Sequence, residues 1–156
     1  MNFKIIHFIA TLFLVSCTNY TVSKAQSVPP TIVSVTYSSV FSGYLISVKA
    51  INPELLFRGY RLYVGSSETE ARAQNSLDTG FSCDGANQLF NIPTTYNFEA
   101  VQSDASLNSG NSCRFKTTLS AGKYINIRST IIGFNSTGGG IANFRLSEPS
   151  NTVIVP

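Results

Sequence analysis

The chain has no tryptophan, a single histidine, a single methionine and three cysteines in 156 residues. Charged residues make up 12%, about half of the ~25% usual for globular domains. Each scarcity excludes something. Few Glu, Lys and Arg disfavour long solvated helices, which draw their exposed face from those residues. A net charge of +3, spread thinly along the chain, is too small and too dispersed to imply a nucleic-acid partner. His7 stands inside an apolar N-terminal run. Once that run is removed, no Ser-His-Asp triad, Cys-His pair or His-based metal set can be built. After it, no apolar segment reaches the ~20 residues of a transmembrane helix.

The polar surface must then come from Ser, Thr, Asn and Gly, a mix that suits strands and turns. The length argues for one domain. The N-terminus reads MNFKIIHFIATLFLVSC: Lys4 precedes an almost continuous apolar run from Ile5 to Val15. That is the pattern of a secretory signal peptide, and it is too short to span a bilayer. Residues 18–30 are polar, lack periodicity and end in Pro29-Pro30, as a tether would.

Leu14-Val15-Ser16-Cys17 resembles the bacterial lipobox. The resemblance implies cleavage before Cys17, lipid on that residue, and a cell-envelope address held to the membrane by acyl chains. Thr18, in place of an Asp, is compatible with sorting to the outer membrane. The alternative is a secreted, non-lipidated protein cut after Ala25, where Ser23-Lys24-Ala25 supplies small residues. The expected organisation is a signal peptide over 1–16, a lipidated Cys and tether over 17–30, and a folded domain over 31–156. With Cys17 lipidated, Cys83 and Cys113 remain. In an exported chain they suggest a disulfide closing about 30 residues, against the alternative of two free thiols. They are too few for zinc, and neither a metal nor a cofactor is expected.

From Thr31 onward short runs alternate with period two between turn residues, the pattern of an all-β antiparallel sandwich. Thr31–Tyr37 sets Val33, Val35 and Tyr37 against Ile32, Ser34 and Thr36. In the second run Tyr44, Ile46, Val48 and Ala50 share a face. In the third, Tyr60, Leu62 and Val64 oppose Arg61 and Tyr63. Over Lys123–Phe134, Ile125, Ile127, Ser129 and Ile131 share a face. A glycine-rich turn over 135–140 then leads to a return strand broken at Ser147–Ser150. Glu68–Gln74 fits one or two helical turns.

The C-terminal stretch is similar to the last two strands of a fibronectin type III domain. Leu119, Gly122 and Tyr124 stand in the family's order, and Ser147-Glu148-Pro149-Ser150-Asn151-Thr152-Val153-Ile154-Val155 matches its Ser-x-Pro-Ser-Asn-x-Val-x-Val strand. Arg58–Val64 is similar to its third strand. The resemblance implies a fibronectin type III or immunoglobulin-like sandwich, with Tyr124 making the tyrosine-corner hydrogen bond. Two departures stand out. The family's core Trp is missing, its place falling at Ala50. Residues 65–118 are longer than usual and carry both remaining Cys, an elaborated, disulfide-bridged middle.

No enzymatic motif is found. Glu54, Glu68, Glu70, Asp78, Asp84, Glu99, Asp104 and Glu148 fall in no recognisable pair and are read mostly as solvated loop acids. Arg61 and Arg128 are read as solvent-facing strand residues. Surface recognition is left, and loops at the ends of a rigid sandwich are where it is expected. The 77–113 segment carries Phe81, Phe90, Tyr96 and Phe98 as a candidate binding loop for a protein or glycan partner. The competing reading is that these rings fill the core in place of the missing Trp. The expected function is binding or adhesion at a bacterial envelope. The alternative is an accessory lipoprotein that assembles or stabilises another envelope complex.

Overall fold

The computed structural model describes residues 28–52, 57–84, 93–133 and 143–156. The N-terminal leader, Cys17, the tether as far as residue 27, Phe90 and the 135–140 turn lie outside the described residues. The strands are β1 (Thr31–Ser38), β2 (Gly43–Ala50), β3 (Phe57–Gly65), β4 (Phe81–Asp84), β5 (Thr94–Val101), β6 (Cys113–Lys116), β7 (Tyr124–Gly133), β8 (Asn143–Leu146) and β9 (Val153–Ile154), with one short helix α1 (Glu68–Ala73) between β3 and β4. One sheet runs β1-β2-β5-β6; the other runs β4-β3-β7-β8, with β9 also on β7. Every pairing is antiparallel except β5 with β6. The two sheets enclose one apolar core, giving the expected all-β sandwich with a bridged middle.

Alternation builds β2 as read: Tyr44, Ile46, Val48 and Ala50 are all buried. The missing indole is replaced by a run of rings. Phe57, Tyr60, Tyr96, Phe98 and Phe115 touch in sequence, with centroids 5.0–5.8 Å apart, the offset and edge-on geometries aromatic pairs favour. Their polar ends are satisfied inside the core. The Tyr60 hydroxyl donates to Asn52 Oδ1 at 2.7 Å, and Asn52 Nδ2 donates to the Tyr96 hydroxyl at 3.0 Å. Buried hydroxyls without such partners would be destabilising.

β1 departs from strict alternation. Its register to β2 shifts between Ile32 and Ser34, so Val33 is an extra, unpaired residue. The bulge turns Ile32 and Val35 inward and leaves Val33 61% exposed. One inserted residue reverses the facing of everything before it, because strand side chains repeat every two.

β3 and β7 correct a second expectation. Their outer face is covered. Tyr63 is fully buried and its hydroxyl donates to the Ser76 carbonyl at 2.9 Å. Asn126 Nδ2 donates to the Ala71 carbonyl of α1. Arg128 is buried: it donates to the carbonyls of Ser147 and Arg72 at 2.8 and 2.9 Å, with its guanidinium over the Tyr63 ring. The segment after β3 folds back because Ser67 caps α1, its Oγ accepting from Glu70 N while the Glu70 carboxylate accepts from Ser66 N.

The break in the last strand is a set of side chains acting as backbone. Pro149 cannot donate to a ladder. Ser147 Oγ accepts from Ser129 N and Ser150 Oγ from Ile127 N, both at 2.9 Å, and each hydroxyl in turn donates a hydrogen bond to the next residue's carbonyl. Asn151 then reaches β1 in the other sheet, accepting from Ile32 N at 2.8 Å and donating to Ile32 O at 3.0 Å. The amide copies one peptide unit of a neighbouring strand and occupies the edge of β1. Asn151→Ala removes both bonds and is expected to lower stability by about 1–3 kcal/mol, read as a lower urea midpoint. An unchanged midpoint would remove this clip from the account.

Candidate functional site

The structure does not bring the aromatic residues Phe81, Tyr96 and Phe98 together in one loop. Tyr96 and Phe98 point inward from the middle of β5 and belong to the core, because that strand pairs in the centre of its sheet between β2 and β6. Phe81 opens the edge strand β4, paired with Leu62 of β3, and is 36% exposed. Phe90 is outside the described residues. Tyr96 and Phe98 therefore offer no binding surface, and the core-filling alternative holds for them. Tyr124 opens β7 opposite Gly65 and Ile154 and is half-buried. Among the described residues its hydroxyl has no hydrogen-bond partner. The tyrosine that ties down the C-terminus is Tyr44, which donates to the Pro156 carbonyl at 3.0 Å.

Cys83 and Cys113 form the disulfide, with Cα atoms 5.8 Å apart. Cys83 lies on β4 and Cys113 on β6, the free edges of the two sheets, so the bond staples the sandwich along one side. β4 lies so close to β3 that a Cβ on Gly59 would sit 2.1 Å from the Cys83 carbonyl oxygen. Only glycine fits there.

Next to the staple lies a feature that reading the chain residue by residue misses. Glu99, one of the acids that fall in no motif, is fully buried within β5. Arg114 stands directly opposite on β6 and grips its carboxylate through Nε, at 2.8 Å, and through a terminal nitrogen. The backbone N–H of Asn108 and the side-chain amides of Asn108 and Asn111 donate to the other oxygen. Arg114 also donates to the carbonyls of Ser103, Ala105 and Ser106. Burial by itself would raise the Glu99 pKa. The Arg114 guanidinium and the Asn108 and Asn111 donors outweigh it and hold the carboxyl below its ordinary value. The pair folds the 102–112 segment over the outer face of the sheet. The signal in sequence was slight: Phe98-Glu99 and Arg114-Phe115 each set a charge beside an inward ring.

Among the described residues, three depressions stand out on the surface. One, of about 360 Å³, runs along the disulfide edge past Asp84, Asp104, Arg114 and Lys116. Its charges are engaged with neighbours: Asp84 with Arg58 and Arg61, Asp104 with Lys116, Arg114 with Glu99. A second, of about 450 Å³, lies beside Arg128, Phe144, Arg145 and Glu148. The third, of about 460 Å³, opens at one end of the sandwich between the β1–β2 turn, the end of β5 and the strand-free segment after β6. It is the most enclosed of the three, and no Asp, Glu, Lys, Arg or His lines it.

Its position follows from register. Thr31 pairs with Lys49, which pairs with Thr95, at one end of the sheet; Ser38, Gly43 and Ala100 come together at the other. Eight strand residues separate the two ends, about 25 Å. The groove thus lies at the end away from where the chain enters β1. A Cβ on Gly43 would sit 2.6 Å from the Ala100 carbonyl oxygen, so glycine lets the turn close over β5. Ser42, beside it, holds φ at 53°, the left-handed region that non-glycine residues seldom occupy.

Among the described residues, no three His, Cys, Asp or Glu come together to hold a metal, and no helix is long and apolar enough to cross a membrane. No protein-family model, curated protein or solved structure matches the chain.

Proposed function

We propose that this chain is a lipid-anchored bacterial envelope protein whose fibronectin type III-like domain binds a partner through the uncharged groove at the far end of the sandwich. The observation that carries the reading is the placement of that groove, about 25 Å from Thr31, where the tether joins β1. A domain held by its N-terminal side turns this end outward. The lipobox residues Leu14-Val15-Ser16-Cys17 support the anchor. The strand partition supports the family: first, second and fifth strands in one sheet, third and final strands in the other, as immunoglobulin-like sandwiches divide them. β6, paired in parallel with β5, is the elaboration on that plan.

Mass spectrometry of the mature N-terminus tests the anchor. Acylated Cys17 is the expected result, and an unmodified start at Gln26 overturns it in favour of secretion. Protease treatment of intact cells tests the outward-facing groove. A domain that is shielded from protease supports the accessory role in another envelope complex instead, which the exposed apolar residues Val33 on β1 and Ile154 on β9 favour as contacts.

A further inference from the structure

We infer that the partner of the groove is a neutral saccharide, held by ring stacking on Tyr37 and by the uncharged side chains around it. This rests on the groove being the binding site proposed above. The argument is one of matching chemistry. Tyr37 is 60% exposed, yet its ring packs edge-on against Tyr44, with centroids 5.4 Å apart, and Tyr44 is anchored through Pro156. Phe41 and Leu119 complete an apolar wall. Ser42, Gln102 and Thr118 stand exposed at the same groove, and among the described residues their side chains make no hydrogen bond within the protein. Rigid aromatic surface together with free hydroxyl and amide groups suits a molecule with one apolar face and many hydroxyls. The C–H face of a pyranose lies on a ring, and its hydroxyls exchange water for side-chain donors and acceptors.

Other ligands fit less well. An ionised ligand would lose hydration against a wall with no opposite charge, a loss that nothing in the lining offsets. An extended peptide gains most from a free sheet edge, whereas the groove opens at a strand end. A volume of about 460 Å³ lies within the usual range for small-ligand sites. The cationic depression beside Arg128 is a weaker candidate, because that guanidinium already holds the Ser147 and Arg72 carbonyls and Glu148 lines the same hollow.

The test applies the purified full chain to an array of neutral oligosaccharides built from glucose, galactose, mannose and N-acetylglucosamine, beside sialylated, uronate and sulfated ones. Binding is expected within the neutral set. Tyr37→Ala should weaken it at least ten-fold and Gln102→Ala several-fold. Leu107→Ala, an exposed change at the disulfide-edge depression, should leave it unchanged. Gln102→Ala and Leu107→Ala should keep the wild-type melting temperature, whereas Tyr37→Ala, which also removes the edge-on contact with Tyr44, should lower it by only a few degrees and leave the chain folded at the assay temperature. Absence of neutral binding, equal binding of acidic sugars, or binding indifferent to Tyr37→Ala overturns the inference. Protein-coated beads on bacterial and mammalian cells separate the two levels of the argument. Adhesion that Tyr37→Ala abolishes, but that no neutral oligosaccharide binds or competes with, keeps the groove and discards the saccharide. Adhesion untouched by Tyr37→Ala discards both.

Discussion

Replacing Arg114 by alanine is expected to destabilise the domain by about 3–5 kcal/mol, the range for removing one partner of a buried ion pair. Glu99 is wholly buried and the Arg114 side chain is 12% exposed, so the pair is largely shielded from water. The carboxylate would keep its Asn108 and Asn111 donors but lose the only opposite charge against it among the described residues. The carbonyls of Ser103, Ala105 and Ser106 would lose their shared donor as well. Urea denaturation reads the loss, and hydrogen exchange should show the 103–112 amides released first. The same site fixes an acid dependence. Outweighing burial, the Arg114 guanidinium and the Asn108 and Asn111 donors hold the folded carboxyl's pKa below its ordinary, unfolded value. Its stabilisation is therefore complete above that unfolded value and is lost as pH falls through the folded value. Glu99→Gln should flatten that acid limb of the stability curve. An Arg114→Ala chain with the wild-type midpoint would show that the pair contributes little.

Removing the disulfide ranks beside it. Cys83 and Cys113 are 30 residues apart in sequence, and closing a loop of that length stabilises by about 3–4 kcal/mol on the chain-entropy model. For a domain of this size that corresponds to roughly 10–20 °C in melting temperature. Both sulfurs belong to buried residues, so Cys83→Ala with Cys113→Ala is the appropriate variant; serine would add unsatisfied hydroxyls to the core. The bond joins the free edges β4 and β6 of opposite sheets. Loosening should begin there, with early exchange of the β6 amides, while the β1–β2–β5 ladders hold. A double variant as stable as the oxidised wild type would mean that the edges are held by packing alone.

Much of the framework was legible because strand chemistry is local. Alternation over Tyr44–Ala50 gave the inward face of β2 correctly, since a strand central in its sheet must bury one row of side chains. The Ser-x-Pro-Ser-Asn stretch could be matched from residues alone, and its role is clear in the structure. A proline that interrupts a ladder needs nearby side chains to stand in for backbone, and Ser147, Ser150 and Asn151 do so.

The misses share a cause. Val33 and Ile32 exchange faces through a single inserted residue, which leaves no mark on composition. Alternation puts Tyr63 on the outward row and reads Arg128 as solvent-facing. They do point away from the core, but α1 and the turn after it lie on top of them. The candidate loop failed at Tyr96 and Phe98 because β5 pairs with β2, fifty residues earlier in places, and that pairing alone makes its inward row core.

The sequence by itself determined that this is an all-β chain, where most strands begin and end, which rows of β2 and β7 face the core, and that low charge leaves Ser, Thr and Asn as its polar surface. These follow from period, turn residues and composition. Only the tertiary structure decided that Glu99 is buried against Arg114, that the two cysteines lie on opposing sheet edges, and that an uncharged groove opens at the end away from Thr31. Each of those depends on contacts between residues far apart in the chain. The physical chemistry of a residue sets what it can pair with, and the fold alone brings the partner within reach.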